Sequence, residues 1–174
     1  MTRLGSFDDL VKRRDEIAAG RGPNPATLVL GDGTCGRASG SSEVRAALSE
    51  AISSLDTEKR LAFRTTGCHG FCQIEPNVQV LPDETLYVHV KPENAQSIVD
   101  AALSGKVLKN LTFKDGQKKS CTKITDVPFY KRQMRLLSGL NVYVDPLRIE
   151  DYIAIDGYQA LAKALFTMTP DFVV

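Results

Sequence analysis

Almost no net charge is left over in this sequence: 22 lysines and arginines face 21 aspartates and glutamates, a formal balance of +1. That leaves no electrostatic case for nucleic acid or an anionic membrane surface, both of which recruit clustered cations. The short basic runs Lys12-Arg13-Arg14 and Lys118-Lys119 have acidic neighbours and read as solvated faces. Long hydrophobic runs are also missing. None approaches the roughly 18–20 apolar residues of a spanning helix, so no direct membrane insertion is expected. Met1 to Leu10 contains two aspartates and no apolar stretch, unlike a secretory signal. A cytoplasmic location is the expectation. In that reducing setting the four cysteines are read as thiols or metal ligands rather than disulfides.

What is there suits a soluble α/β protein of one domain with an appendage. Of 174 residues, 43% are hydrophobic and 25% charged, an ordinary balance for a folded chain. Ser6 to Gly20 reads as a helix: Ser6 caps it, Asp8 and Asp9 suit its positive end, and Gly20 ends it. Gly20 to Pro25 then breaks regular structure. Thr27 to Leu30 is a short apolar strand running into the glycine loop Gly31-Asp-Gly-Thr-Cys-Gly36. Val44, Ala47, Leu48, Ala51, Ile52 and Leu55 recur at helical spacing. Leu61 to Phe63 is the next strand and ends at Thr66-Gly-Cys-His-Gly-Phe-Cys72. Val78 and Val80, then Leu86, Val88 and Val90, alternate with polar residues around Pro82-Asp83-Glu84, which predicts a hairpin. Pro92 opens a last helix. Strand–helix–strand, hairpin, helix is the thioredoxin-like order, a βαβ crossover extended by a hairpin.

The expected division is an N-terminal helix and connector over 1–25, a thioredoxin-like domain over 26–106, an extended lysine-rich connector over 107–127 and a helical segment over 128–174. In that last segment Pro128 to Leu137 and Asp145 onward are expected helices. Asp156 is expected to cap a further one, whose residues Tyr158, Leu161, Ala162 and Leu165 line up as an apolar stripe in need of a partner.

The cysteines carry the chemistry. Cys35 follows the first strand, while Cys68 and Cys72 follow the second. Parallel strands of one βαβ unit end on the same side, so both loops open at one sheet edge and three thiols meet there. Thiolates approached by glycine-rich backbone amides are what an iron–sulfur cluster requires. Structural zinc prefers paired C-x2-4-C spacing, and a dithiol redox pair prefers C-x-x-C; Cys68 and Cys72 have one residue too many between them for the latter. Three readings stay open on spacing alone: a metal cluster, a zinc site, or inert small hydrophobes.

Gly33-Thr-Cys-Gly-Arg-Ala-Ser-Gly40, Thr66-Gly-Cys-His-Gly-Phe-Cys72 and Glu75-Pro-Asn-Val-Gln-Val80 resemble the thioredoxin-like [2Fe–2S] ferredoxin domains. Such domains occur in complex-I-type NADH dehydrogenases, NAD-linked formate dehydrogenases and multimeric, including electron-bifurcating, hydrogenases. Pro128-Phe-Tyr-Lys-Arg-Gln133, Ile149-Glu-Asp-Tyr-Ile-Ala154 and the stretch from Gly157 to Pro170 resemble the passage from that domain to the FMN/NADH-binding core of the flavoprotein subunit. The resemblance implies a [2Fe–2S] cluster on Cys35, Cys68 and Cys72, other subunits of a multisubunit oxidoreductase as partners, and one-electron transfer as function. Four-cysteine members place two cysteines in the first loop. Here Gly31 stands at the first of those positions, and Cys35 is one place out of register with the second. The fourth ligand is open among Asp32, Ser39, His69 and Cys121. FMN and NAD are expected only in a downstream domain, because no glycine-rich motif for either is present. By itself the chain is not expected to be catalytic. The alternative is a cluster-free thioredoxin-like docking module; a zinc-binding adaptor is a third reading. His69 reads as a solvent-facing loop residue, and Asp83-Glu84 as a turn.

Overall fold

A computed structural model describes residues 4–20, 26–54 and 61–174. In chain order its helices and strands are α1 (Phe7–Gly20), β1 (Thr27–Gly31), α2 (Thr34–Ala38), α3 (Ser41–Ser54), β2 (Ala62–Thr66), β3 (Val78–Leu81), β4 (Thr85–Tyr87), α4 (Ala95–Ser104), β5 (Phe113–Lys114), β6 (Ser120–Cys121), α5 (Pro128–Lys131), α6 (Ile149–Ala154), α7 (Gln159–Thr167) and α8 (Pro170–Val173). They fall into two compact units, 24–142 and 1–23 with 143–174.

The larger unit is built on a four-stranded sheet of order β2-β1-β3-β4. β1 and β2 are parallel, Thr27 opposite Ala62 through Gly31 opposite Thr66. β3 runs antiparallel to β1, and β4 antiparallel to β3. A parallel pair joined through a helix, followed by a hairpin and a helix, is the order expected from the sequence. The fold is thioredoxin-like.

Strand alternation sorts the side chains. Leu28, Leu30, Val78, Val80 and Tyr87 share one core with Val44, Leu48 and Ile52 of α3 and Ile98 and Val99 of α4. Each such fully buried side chain contributes about 1.5–3 kcal/mol. α4 ends at Gly105, whose left-handed φ of 66° suits glycine. Leu55, expected on the α3 stripe, lies outside the described residues, as does most of the 20–25 breaker.

Residues 107–127 depart from the expected extended connector. They return along β4: Leu86 N–H donates to Thr122 O at 2.9 Å and Val88 N–H to Leu111 O at 2.8 Å. A small hairpin, β5–β6, forms within the stretch. Leu86 and Val88 meet Cys121, Ile124, Val127 and Tyr130, with Ile74, in a second buried cluster. The segment thus pairs the outer edge of β4, which an open sheet would leave unsatisfied. The expected helix from Pro128 to Leu137 is cut to α5, because Arg132 already leaves helical geometry.

The smaller unit packs α1 against α6 and α7 through Leu10, Ile153 and Ala162, with Phe7 and Ile17 beside them. Ser6 caps α1 as expected, its Oγ accepting from Asp9 N–H at 3.1 Å. Asp156 sits ahead of α7 and accepts from Gln159 Nε2 at 2.7 Å, but Tyr158 is the capping position. The apolar stripe is split: Ala162 is buried, while Tyr158, Leu161, Leu165 and Phe166 are exposed. No helix among the described residues is long and apolar enough to cross a membrane.

Candidate metal centre

Both cysteine segments emerge from the same end of the β1–β2 pair. The two strands end in register at Gly31 and Thr66, and the Asp32 N–H closes the pair by donating to Thr66 O at 2.9 Å. Cys35 lies on the one-turn helix α2 rather than in an open loop. Glycine permits this tight passage: a Cβ on Gly36 would stand 2.7 Å from Gly31 O. A Cβ on Gly33 would stand 3.3 Å from Cys68 N and 3.4 Å from Cys68 Cβ, so the two segments touch.

The thiols meet at Cys72. Its pKa is pushed up first by the Cys35 thiol, as partner and as charge, and then by burial, while the Cys68 thiol acts in the opposite sense, so both other thiols are its neighbours. Gly70 N–H, at a φ of 90°, donates to Cys68 Sγ at 3.1 Å. All three cysteines are exposed and unbridged, whereas Cys121 is buried. The structure therefore brings Cys35, Cys68 and Cys72 together. Among the described residues no group of three or more His, Cys, Asp or Glu side chains forms a cage for a single metal ion.

The four side chains weighed for a further ligand have different fates. The Asp32 side chain, only 5% exposed, is held by Arg37 at 3.3 Å and Arg45 at 3.6 Å and accepts from Ser41 Oγ at 2.5 Å. It ties the cysteine helix α2 to α3 and would have to break those bonds to reach a metal. Ser39 is exposed at the C-terminal cap of α2. Cys121 sits in the second core cluster, where burial raises its thiol pKa. His69, expected to face solvent, is 3% exposed, and neither ring nitrogen has a hydrogen-bond partner among the described residues. Burial first, then the Arg135 charge, lowers its pKa to about 4, so the ring is neutral near pH 7.

Three features escaped the sequence reading. The Glu75 carboxylate lies beneath the first cysteine segment, each oxygen 3.1 Å from where a Gly31 Cβ would stand. Burial raises its pKa to about 7, opposed by the hydrogen bond that the Asn77 backbone N–H donates at 3.1 Å, with the Asp32 charge adding to the rise. The Phe71 ring, between the two cysteines, stacks on Phe129 with centroids 4.1 Å apart. Asn141 Nδ2 donates to Cys68 O at 3.0 Å, and Asn141 O accepts from the Thr66 hydroxyl. Phe129-Tyr130 was a visible aromatic pair, but nothing in its spacing pointed to Phe71.

No protein-family model matches the chain. Over 44 residues, 25% of this chain, it is 50% identical to the NADP-reducing hydrogenase subunit HndC of Solidesulfovibrio fructosivorans. The chain spans only 9% of the length of that curated relative. Among solved structures, a thioredoxin-like [2Fe-2S] ferredoxin from Aquifex aeolicus is 27% identical over 49% of this chain and 87% of that one, with a TM-score of 0.46. The wild-type form of such a ferredoxin from the same organism, at 28% identity, covers 49% of this chain and 93% of its own, again with a TM-score of 0.46. Half of the chain has thioredoxin-like ferredoxins as structural neighbours.

Proposed function

We propose that this chain is an electron-transfer module in which Cys35, Cys68 and Cys72 hold a [2Fe–2S] cluster. The observation that carries the reading is the meeting of three thiols from two segments at the ends of one parallel strand pair. The donor set fits such a cluster in kind. It offers soft sulfur ligands, a glycine-lined approach and an amide already directed at Cys68 Sγ. When bound, the cluster supplies one-electron chemistry. The chain's own residues do the rest: they hold three sulfurs, donate the Gly70 amide to that of Cys68, and keep a neutral His69 and the Phe71–Phe129 stack in the same loop region.

The wider setting we infer is a multisubunit NAD(P)H-linked oxidoreductase of hydrogenase, formate dehydrogenase or NADH dehydrogenase type. The short, strong identity to a hydrogenase subunit supports it. FMN and NAD would bind outside this chain. The exposed residues Tyr158, Leu161, Leu165 and Phe166 suit contact with a neighbouring subunit or domain, since contiguous apolar surface marks an interaction site.

A cluster-free docking module is the second reading. The specific observation in its favour is that the two segments offer three thiols and not four. The two readings separate on anaerobic reconstitution with iron and sulfide. The electron-transfer reading predicts visible absorption and bound iron in the wild-type chain, and loss of both in Cys35→Ala, Cys68→Ala and Cys72→Ala. Iron content unchanged in Cys68→Ala overturns the ligand assignment.

A further inference from the structure

We propose that residues 128–141 form a strap that holds the Cys68–Cys72 loop in shape, with Arg135 as the positioning residue that also sets the charge beside it. The part concerning charge rests on the cluster reading above; the part concerning shape does not.

The strap grips the loop at both ends. At the Cys72 end, Phe129 stacks on Phe71, their rings 16° from parallel. Tyr130 stands edge-on to Phe71 at 6.1 Å and to Phe129 at 5.1 Å. At the Cys68 end, Asn141 donates to the Cys68 carbonyl and accepts from Thr66 at the end of β2. Between the two grips the strap closes on itself, Gly139 N–H donating to Arg135 O at 3.0 Å. A Cβ on Gly139 would stand 2.5 Å from that oxygen, so the closure needs glycine. The Arg135 guanidinium lies over the Tyr130 ring, 4.9 Å from its centroid, which joins the closed turn to the aromatic grip.

The same position makes Arg135 a fixed cation at the loop. From Val127 to Val144 the chain carries Lys131, Arg132 and Arg135 and no acid. Among the described residues Arg135 forms no ion pair, its guanidinium lying over the Tyr130 ring instead. Through Tyr130, which stands edge-on to Phe71 at 6.1 Å, the guanidinium is tied to the stretch between Cys68 and Cys72. One-electron reduction adds a negative charge to a thiolate-held cluster. A nearby cation favours that reduced form and raises the potential.

The test uses the full chain in two states. In the metal-free chain, amide hydrogen exchange is read over residues 68–74. Phe129→Ala and Asn141→Ala are expected to speed it several-fold, and Leu137→Ala, at a side chain 97% exposed on the strap's outside, is expected to leave it unchanged. Exchange unchanged in both Phe129→Ala and Asn141→Ala overturns the strap, whatever the chain binds. In the iron-loaded chain, Arg135→Gln is expected to keep its iron and lower the reduced-to-oxidised ratio at a fixed poise by roughly threefold to tenfold. The upper end is about 59 mV for a one-electron couple. Arg135→Lys should restore most of it. Arg135→Gln with full iron and an unchanged potential overturns the charge role alone. A wild-type chain that takes up no iron sinks the cluster reading and the charge role with it, and leaves the exchange result standing.

Discussion

Gly33 and Cys68 belong to segments that follow different strands, yet a methyl group on Gly33 would stand 3.3 Å from the Cys68 backbone nitrogen. The backbone there is extended, with φ −72° and ψ −179°, so an L side chain is conformationally allowed and the constraint is one of space. Gly33→Val should therefore prise the Cys35 segment from the Cys68 loop. The expected cost is about 1–3 kcal/mol, the usual range for overpacking. Urea unfolding measures it, and iron uptake should fall alongside. Gly33→Ala, tolerated after a shift of a few tenths of an ångström, should lose less of both.

Cys121 offers the opposite case. It is a small side chain packed in an apolar cluster, not a member of the thiol group. Cys121→Ala is expected to cost about 1 kcal/mol in stability, with the visible spectrum of the reconstituted chain unchanged. Loss of colour in that variant would make Cys121 a ligand.

Removal of everything after Thr125 is expected to destabilise the sheet domain. Val127 and Tyr130 are buried against Leu86 and Val88, and losing both forfeits roughly 1.5–3 kcal/mol for each large side chain. A cut after Val142 should leave that domain folded. Thermal melts of the two truncations, compared with the full chain, decide the point. Equal melting of the domain in both would mean that the second cluster adds nothing to its stability.

Glu75 gives a pH dependence of definite sign. Its folded pKa, about 7, lies above the ordinary value of 4.5, chiefly through burial. Between those values the unfolded chain has released this proton and the folded chain still holds it. The Glu75 contribution is therefore fully present below about pH 4.5, is lost as pH rises through about 7, and is absent above that. Glu75→Gln should stabilise the metal-free chain at pH 8 and leave it little changed at pH 4.5. Chemical denaturation at the two pH values tests this; equal effects at both would mean that Glu75 ionises freely in the fold. His69, lowered to about 4, acts in the opposite sense, its contribution being lost as pH falls below about 6.5.

The sheet was legible because its strands carry period-two patterns, Val78 and Val80 in one and Leu86 and Val88 along the next, though these two sets fall in different core clusters, and because Leu28 and Leu30 sit in an unbroken apolar run. The meeting of the cysteines followed from the parallel β1–β2 pair alone. The cover on β4 was not legible. Leu111, Ile124 and Val127 are spread among lysines with no helical or strand period, and two of the contacts that dock the segment are backbone hydrogen bonds from Leu86 and Val88. The burial of His69 was hidden for a related reason. Its glycine and cysteine neighbours along the chain gave no sign that the ring would be only 3% exposed.

The measurement that bears most directly on the account is the iron and acid-labile sulfide content of the full chain after anaerobic reconstitution and desalting. The account predicts a coloured protein with iron and sulfide in equal amounts, about two of each per chain, as a [2Fe–2S] cluster requires. It also predicts that Cys35, Cys68 and Cys72 are protected from alkylation while the cluster is bound. A colourless chain with no retained iron, and with those three thiols freely alkylated, would contradict it.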